Sequence, residues 1–508
     1  MKKFMNGVKG WLSGHSGFAF YLTALLVAVL VLLNTVVYAL TAKYQLYLYS
    51  PAREADIPLS ETSDLYLERA MMGGRKVSIT FCDDREDVKN HDLGSLVYDT
   101  AMRFKEKYPE FLDIRFVNSV TGYDSDDPTG KFVDLSKYTE GGTVRIRQTS
   151  IIFECEGNFR VMTGGSTGYE DFFTLTSSGS IYAYNGEEVL ASMICWVTEP
   201  EDQHKKVYFT QNHGETADIA LNSAFVSAGY YVEVLNLRKD EVPEDAALVV
   251  ISNPTTDFEK KSEGAKVDAE LDRLEKYMAN GGNLYVVLDP LVKKLPNLEE
   301  FLLGKGFALA EDKDRYGNIA RDIVRDDVNG DPTDVYRFLL TPAENEAADK
   351  VFSYMNKYVD GGISVNQTGR LLLSNGAVPL LLSSDSSVAY RGGETVNSDG
   401  SYAIMGYNKI AYENGNTAQV IVVPTISLTS TTSMVNNTYQ NKAFVLSMLS
   451  VFCDAVQAPI GCTSLITRGE TLEGLTIGQA RGYIALVMAI PAALAILGTV
   501  TIIRRKNR

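Results

Sequence analysis

Over residues 206–290 the chain alternates short apolar runs with helical patterns, and this alternation restricts its fold more than any other feature. Val207-Tyr208-Phe209-Thr210 is an apolar run that stops at Gln211-Asn212-His213-Gly214-Glu215. Ile219, Leu221, Ala224, Phe225 and Ala228 then recur on or near one helical face until Gly229. Residues 230–237 are rich in β-branched and aromatic side chains, and residues 246–252 form a further buried run halted by Asn253-Pro254. A polar helix steps through Val267, Leu271, Leu274 and Met278 to Gly281-Gly282, and a last run, 283–288, ends at Asp289-Pro290. Strands covered on both faces read as near-continuous apolar runs rather than as alternating ones. The pattern therefore predicts an α/β fold, with an open, doubly wound parallel layer in this region.

The remainder divides around that layer. A chain of 508 residues exceeds one hydrophobic core, so two or three folded units are expected. The expected organisation is a cytoplasmic N-terminus (1–16), a transmembrane helix (17–40), a stalk (41–75) and a first domain (76–203). A larger α/β domain (204–455), a juxtamembrane segment (456–481), a second transmembrane helix (482–503) and a cytoplasmic tail (504–508) follow. Both proposed spans are long enough to cross a bilayer, and Lys2, Lys3, Lys9 and Arg504-Arg505-Lys506 flank their outer sides. That places both termini in the cytoplasm and residues 41–481 outside the cell membrane.

In the first domain, residues 77–81 and 112–117 read as strands separated by a helix over 95–108. Residues 150–154 and 159–163 read as a hairpin joined through Glu156-Gly157-Asn158, and 187–197 as a closing helix. This β-α-β then β-β-α order is that of a thioredoxin-like layer. Thiol–disulfide chemistry needs two cysteines at a helix start. Cys82 stands alone before Asp83-Asp84, so the fold is expected without the activity. In the larger domain, residues 312–366 read as acidic, irregular insertions, with strands resuming at 371–373, 379–382, 402–407 and 419–423. Its topology is that of flavodoxin-like or class I amidotransferase-like layers.

Charge excludes one function class. Of the 48 Lys and Arg, seven lie in the two termini, leaving 41 against 64 Asp and Glu over residues 17–503. Such a surface repels nucleic acid. Five scattered cysteines contain no C-x-x-C, and Cys453 with Cys462 is the one close pair.

The segments KVYFTQNHGE (206–215), LNLRKDEVPEDAALVVISNP (235–254) and LEKYMANGGNLYVVLDP (274–290) resemble the core of the Gldg-type auxiliary proteins. Those proteins accompany certain ABC transport systems and take their name from gliding motility. Residues 441–453 and Ser464-Leu465-Ile466-Thr467-Arg468 resemble the family's approach to its final span. The resemblance implies an ABC permease and a separate ATPase subunit as partners. It also implies a thioredoxin-like first domain.

Candidate chemistry is sparse. His213, Glu215 and Asp289 stand at strand carboxyl ends, where open α/β sheets place ligands, and are the candidate ligand-binding residues. The competing reading is a turn shaped by Asn212 and Gly214, with Glu215 favouring a helix N-terminus. The turn Ile251-Ser252-Asn253-Pro254 carries no G-x-S-x-G and no Cys, so no nucleophile is expected. In Asp327-Val328-Asn329-Gly330-Asp331 the glycine falls at the wrong place for a calcium loop and no glutamate closes it; Asp124-Ser125-Asp126-Asp127 is similar, and both read as solvated turns. No G-x-x-x-x-G-K-[ST] motif occurs, so ATP hydrolysis would belong to another chain. No cofactor or metal is expected. The sequence thus points to a non-catalytic, membrane-anchored auxiliary subunit of an ABC transport system. An anchored module binding cell-wall or carbohydrate ligands is the alternative, and a degenerate hydrolase a further one.

Overall fold

The computed structural model describes residues 59–466, apart from residues 128, 166–167, 176–179, 200–205, 217, 262–266, 357–358, 360, 398–399, 436–437, 454–459 and 463. Helix α1 (Glu61–Met71) starts at Ser60, whose hydroxyl accepts the Ser63 N–H at 3.3 Å. It lies in the stretch expected as a stalk, yet its Tyr66 and Leu67 are buried in the first core. Strand β1 (Val77–Phe81), helix α2 (Gly94–Lys107), β2 (Leu112–Phe116), β3 (Ile151–Cys155) and β4 (Asn158–Met162) follow. They form a four-stranded sheet in the order β2-β1-β3-β4. The β1 and β2 strands are parallel, β3 adds antiparallel to β1, and β4 antiparallel to β3. The β3–β4 hairpin turns on Glu156 and Gly157, with φ of 51° and 94°. A two-residue turn that matches strand twist needs such left-handed values at both positions.

Strands β5 (Phe173–Leu175) and β6 (Ile181–Tyr184) lead into helix α3 (Gly186–Thr198). Every residue of α3 from Glu188 to Thr198 is buried. A helix apolar on all sides belongs inside a core, and α3 packs against α1, α2 and the sheet.

The larger unit begins with β7 (Lys206–Thr210), α4 (Ile219–Ser227), β8 (Tyr231–Leu235) and β9 (Ala246–Ser252). Helix α5 (Glu270–Ala279), β10 (Asn283–Val287), α6 (Pro296–Gly304) and β11 (Phe307–Leu309) continue it. Next come β12 (Arg337–Pro342), α7 (Glu346–Met355), β13 (Ile363–Asn366), β14 (Leu371–Leu373) and β15 (Val378–Leu382). The unit closes with β16 (Ala403–Ala411), β17 (Thr417–Val423) and α8 (Asn441–Phe452), and β18 (Leu465–Ile466) follows. Eleven of these strands make one mixed sheet. Its parallel block runs β8-β7-β9-β10-β17, and β16, β15, β12 and β13 extend it antiparallel.

The four strands legible at 206–290 are present and parallel, and both faces of the block are covered. Val207, Val250, Tyr285, Val287, Ile421 and Val423 share one core with Leu221 and Phe225 of α4 and Phe444 of α8. Their neighbours Tyr208, Val249, Ile251, Leu284, Val286 and Val422 share another with Leu271 and Leu274 of α5 and Leu302 of α6. Successive strand residues point to opposite faces, so burial on both sides erases the alternation.

Three expectations are corrected. Residues 312–366 are largely regular: they contain β12, α7 and β13, and strands Ile319–Arg321 and Ile323–Asp326. Asp322, fully buried, accepts from Arg370 and Arg391 at 2.7 Å each, which holds those strands to the body of the fold. Val267 lies ahead of α5 and is exposed, because that helix begins at Glu270. The third correction concerns the membrane. Among the described residues no helix is long and apolar enough to cross one. The longest, α2, has 14 residues, about 21 Å at 1.5 Å per residue, against a hydrocarbon core of about 30 Å. The expected spans, 17–40 and 482–503, lie outside the described residues. The two-pass membrane location, with its extracytoplasmic placement of residues 41–481, thus has no support among the described residues.

The two units are bolted together. Arg160 of β4, buried, donates to the Gly229 carbonyl at 2.8 Å and to the Tyr230 carbonyl at 2.9 Å. Its guanidinium also lies over Trp196 and Tyr231, 5.1 and 4.6 Å from the ring centroids. Lys442 of α8 pairs with Glu188 of α3. After α8 the chain returns to the first unit, where β18 pairs with β6 and Ser464 donates to Asn185 at 2.6 Å.

Candidate functional site

Numbered by their order in the chain, the parallel strands lie 2-1-3-4-5, so the winding reverses between β7 and β9. Loops leaving two such strands diverge at their carboxyl ends and open the crevice in which α/β sheets hold ligands. His213 and Glu215 sit in the loop after β7, and Asn253 in the loop after β9.

Here the crevice is filled by the protein itself. The His213 side chain is fully buried and stacks on Phe258, with ring centroids 3.8 Å apart and planes 11° from parallel. Its Nδ1 meets Glu215 Oε1 at 3.1 Å and its Nε2 meets Glu270 Oε1 at 2.9 Å. Glu215 Oε2 accepts the His213 N–H at 2.7 Å. Glu270 Oε2 accepts the Glu259 N–H at 2.7 Å, and Arg238 Nε lies 3.4 Å from Glu270 Oε1. The His213 carbonyl accepts the N–H groups of Thr255 and Thr256, each at 2.8 Å. Gly214 has φ of 69°, and a Cβ there would stand 2.1 Å from Thr255 Oγ1. Glycine is therefore required both for the backbone and for the close approach of the two loops.

Burial alone would lower the His213 pKa. Its hydrogen bonds to Glu215 and Glu270 more than reverse that, and the imidazole is held above the ordinary histidine value. For Glu215, burial pushes upward, and the bonds from His213 and from backbone N–H groups leave the carboxyl below its usual range. When protonated, His213 stands with Arg238 against the two glutamates. Both ring nitrogens face carboxylates, so neither is presented to a hydroxyl or a thiol.

Asp289 stands one strand further along and takes a different part. Its Oδ1 accepts the Leu291 N–H at 2.9 Å, and its carbonyl accepts from Arg321 at 3.2 Å. Asn253 links it to the histidine loop: Asn253 Oδ1 accepts the Asp289 N–H at 3.0 Å, and Nδ2 reaches Thr216 Oγ1 at 3.3 Å. Asn253 is buried and left-handed, with φ of 52°. The three candidate residues thus share one edge, but only His213 and Glu215 share a charge cluster. Glu270, Arg238 and Phe258 complete it without having been singled out from the sequence. Glu270 opens helix α5, and an acid at that position is so common that it marks no site.

The other candidates resolve into structure. Cys82 is fully buried, and burial, then Asp83, pushes its thiol up to about 12. Cys453 and Cys462 are not joined by a disulfide. In the loop at 326–331, Asp326 accepts the N–H groups of Val328 and Asn329, and Asp331 accepts the N–H and the hydroxyl of Thr333. In the loop at 124–127, Asp126 pairs with Arg85 and Asp127 accepts from Thr129. Asp83, Asp84 and Asp87 bring carboxylate oxygens within 4.8 Å of one another. Of these, Asp83 already accepts from Gln148 and Asp84 from Asn118.

No known family model matches the chain, and no curated protein matches it. Solved structures with likeness of fold cover about half of it. A ThuA-like protein from Bacteroides uniformis is 15% identical, with 51% of this chain and 95% of that one covered and a TM-score of 0.30. PurLQS from Thermotoga maritima is 14% identical, with coverage of 49% and 98% and a TM-score of 0.28. A glutamine amidotransferase from Thermotoga maritima is 11% identical, with coverage of 45% and 77% and a TM-score of 0.24. The chain has a mixed α/β sheet fold, with neighbours of amidotransferase-like type.

Proposed function

We propose that this chain is a non-catalytic auxiliary subunit of an ABC transport system, acting through its two joined α/β units as a docking body for the permease and the separate ATPase. The transport association rests on the resemblance of residues 206–215, 235–254 and 274–290 to the Gldg-type proteins. The non-catalytic reading rests on one observation: at the crevice between β7 and β9, His213 is held between Glu215 and Glu270. A general base needs a ring nitrogen in reach of the proton it removes. Here both nitrogens are committed to carboxylates, which disfavours a degenerate hydrolase.

On this reading the first unit is a thioredoxin-like layer, consistent with its β2-β1-β3-β4 order, retained without redox chemistry. The second is a flavodoxin-like or class I amidotransferase-like layer, consistent with the 2-1-3-4-5 order of its parallel block. Affinity purification of the tagged full-length chain from its own cells tests the proposal. Co-purification of a P-loop ATPase together with a multi-span permease is the expected outcome. Recovery of the intact chain with neither would remove the transport reading.

A further inference from the structure

A second opening lies one step along the same sheet edge, under helix α6. It is a cavity of about 360 Å³ at the carboxyl ends of β10 and β17. Leu288, Leu302, Phe307, Leu309, Leu371 and Val422 give it apolar walls, all of them largely withdrawn from solvent. The charged residues at its margin are each paired. Lys294 pairs with Glu311, Glu300 with Lys260 at 2.9 Å, and Glu299 with Arg321 and with the Leu295 N–H at 2.8 Å.

We propose that this cavity is a binding site for a small, uncharged, apolar molecule. Three observations carry the assignment. Core side chains normally close-pack, whereas these leave an opening reached from outside past Leu303, which is 52% exposed. The lining that a ligand would meet is mainly apolar, and apolar pockets with a few fixed polar groups are the usual form of small-molecule sites. The paired margin leaves no charge awaiting a counter-ion, so an ionic ligand would lose hydration without compensation. The volume is more than twice the ~150 Å³ cavity that accommodates benzene, so a ligand of about one or two rings, or an equivalent aliphatic chain, fits. The site shares no residue with the His213 cluster and does not depend on the transport reading.

The test is titration of the full-length protein with N-phenyl-1-naphthylamine, a neutral apolar fluorophore. Its sulfonated analogue 1-anilinonaphthalene-8-sulfonate serves as a charged control, and both are applied to Leu371→Trp and Leu303→Trp. Leu371→Trp fills the cavity, whereas Leu303→Trp narrows its mouth at a half-exposed position with room for a larger side chain. Saturable binding of the neutral probe is expected. It should weaken at least tenfold in each variant that keeps the wild-type melting midpoint, with the sulfonated analogue at least tenfold weaker on the wild type. If Leu371→Trp fails to fold, Leu303→Trp decides alone. Absence of saturable binding, binding unchanged in a folded variant, or equal affinity for the two probes would overturn the assignment.

Discussion

Removing His213 would leave the Glu215 and Glu270 carboxylates without the partner they share, and only the half-exposed Arg238 beside Glu270 would remain. Breaking a buried charge cluster by deleting one member typically costs several kcal/mol, because the remaining charges lose their compensation. His213→Leu, which retains packing against Phe258, should therefore destabilise the larger unit by about 3 kcal/mol in urea denaturation. The pH dependence has a defined sign. The folded-state pKa of His213 is raised, so its contribution is complete below about pH 6.5 and is lost as pH rises through the raised value. Glu215 is lowered, so its contribution is present above about pH 4.3 and is lost as pH falls through the lowered value. A set of urea midpoints should show stability falling on both sides, and His213→Leu should flatten the alkaline limb. An alkaline limb of the same slope in the variant would assign the titration to another group. Asn253→Ala should cost about 2 kcal/mol, since alanine resists a left-handed backbone and leaves the Asp289 N–H without its acceptor.

Among elements, helix α3 and strand β4 couple the two units. Arg160 binds two carbonyls across the boundary and lies over two aromatic rings. Arg160→Met keeps the stem and removes the five donors. The expected loss is about 3 kcal/mol of coupling, seen in calorimetry as one transition resolving into two. A single transition of unchanged width would mean that Lys442–Glu188 and the packing of α4 suffice. The strands of the parallel block were legible because apolar runs flanked by turn residues survive burial on both faces. Helix α5 was legible in position but not in its first turn, because Val267 fits its period while Glu270 starts it. The regular structure within 312–366 was hidden, since its short strands take their stability from Asp322 and its two arginines, which are distant in sequence.

In the whole molecule, the beginning and end of the described chain meet on the first unit. Ile460 N–H donates to Tyr66 at 3.2 Å, the Ser60 hydroxyl donates to Glu187 at 2.7 Å, and β18 pairs with β6. A chain ending at Cys453 should lose roughly 2 kcal/mol in the first unit. Faster hydrogen exchange over residues 181–187, with the parallel block unaffected, is the expected readout. Uniform exchange across both units would show that the returning segment stabilises the molecule as one.

Over residues 206–290 the sequence by itself determined the local alternation of strands and helices, and that the central strands are covered on both faces. It also placed His213, Glu215 and Asp289 at strand ends, because turn residues mark where strands stop. The tertiary structure decided what stands beside them. The partners of His213 come from residues 215, 258 and 270, and periodicity carries no information about which loops converge. Long-range pairing is set by packing of the whole sheet, and it turned an expected ligand crevice into a closed ionic cluster.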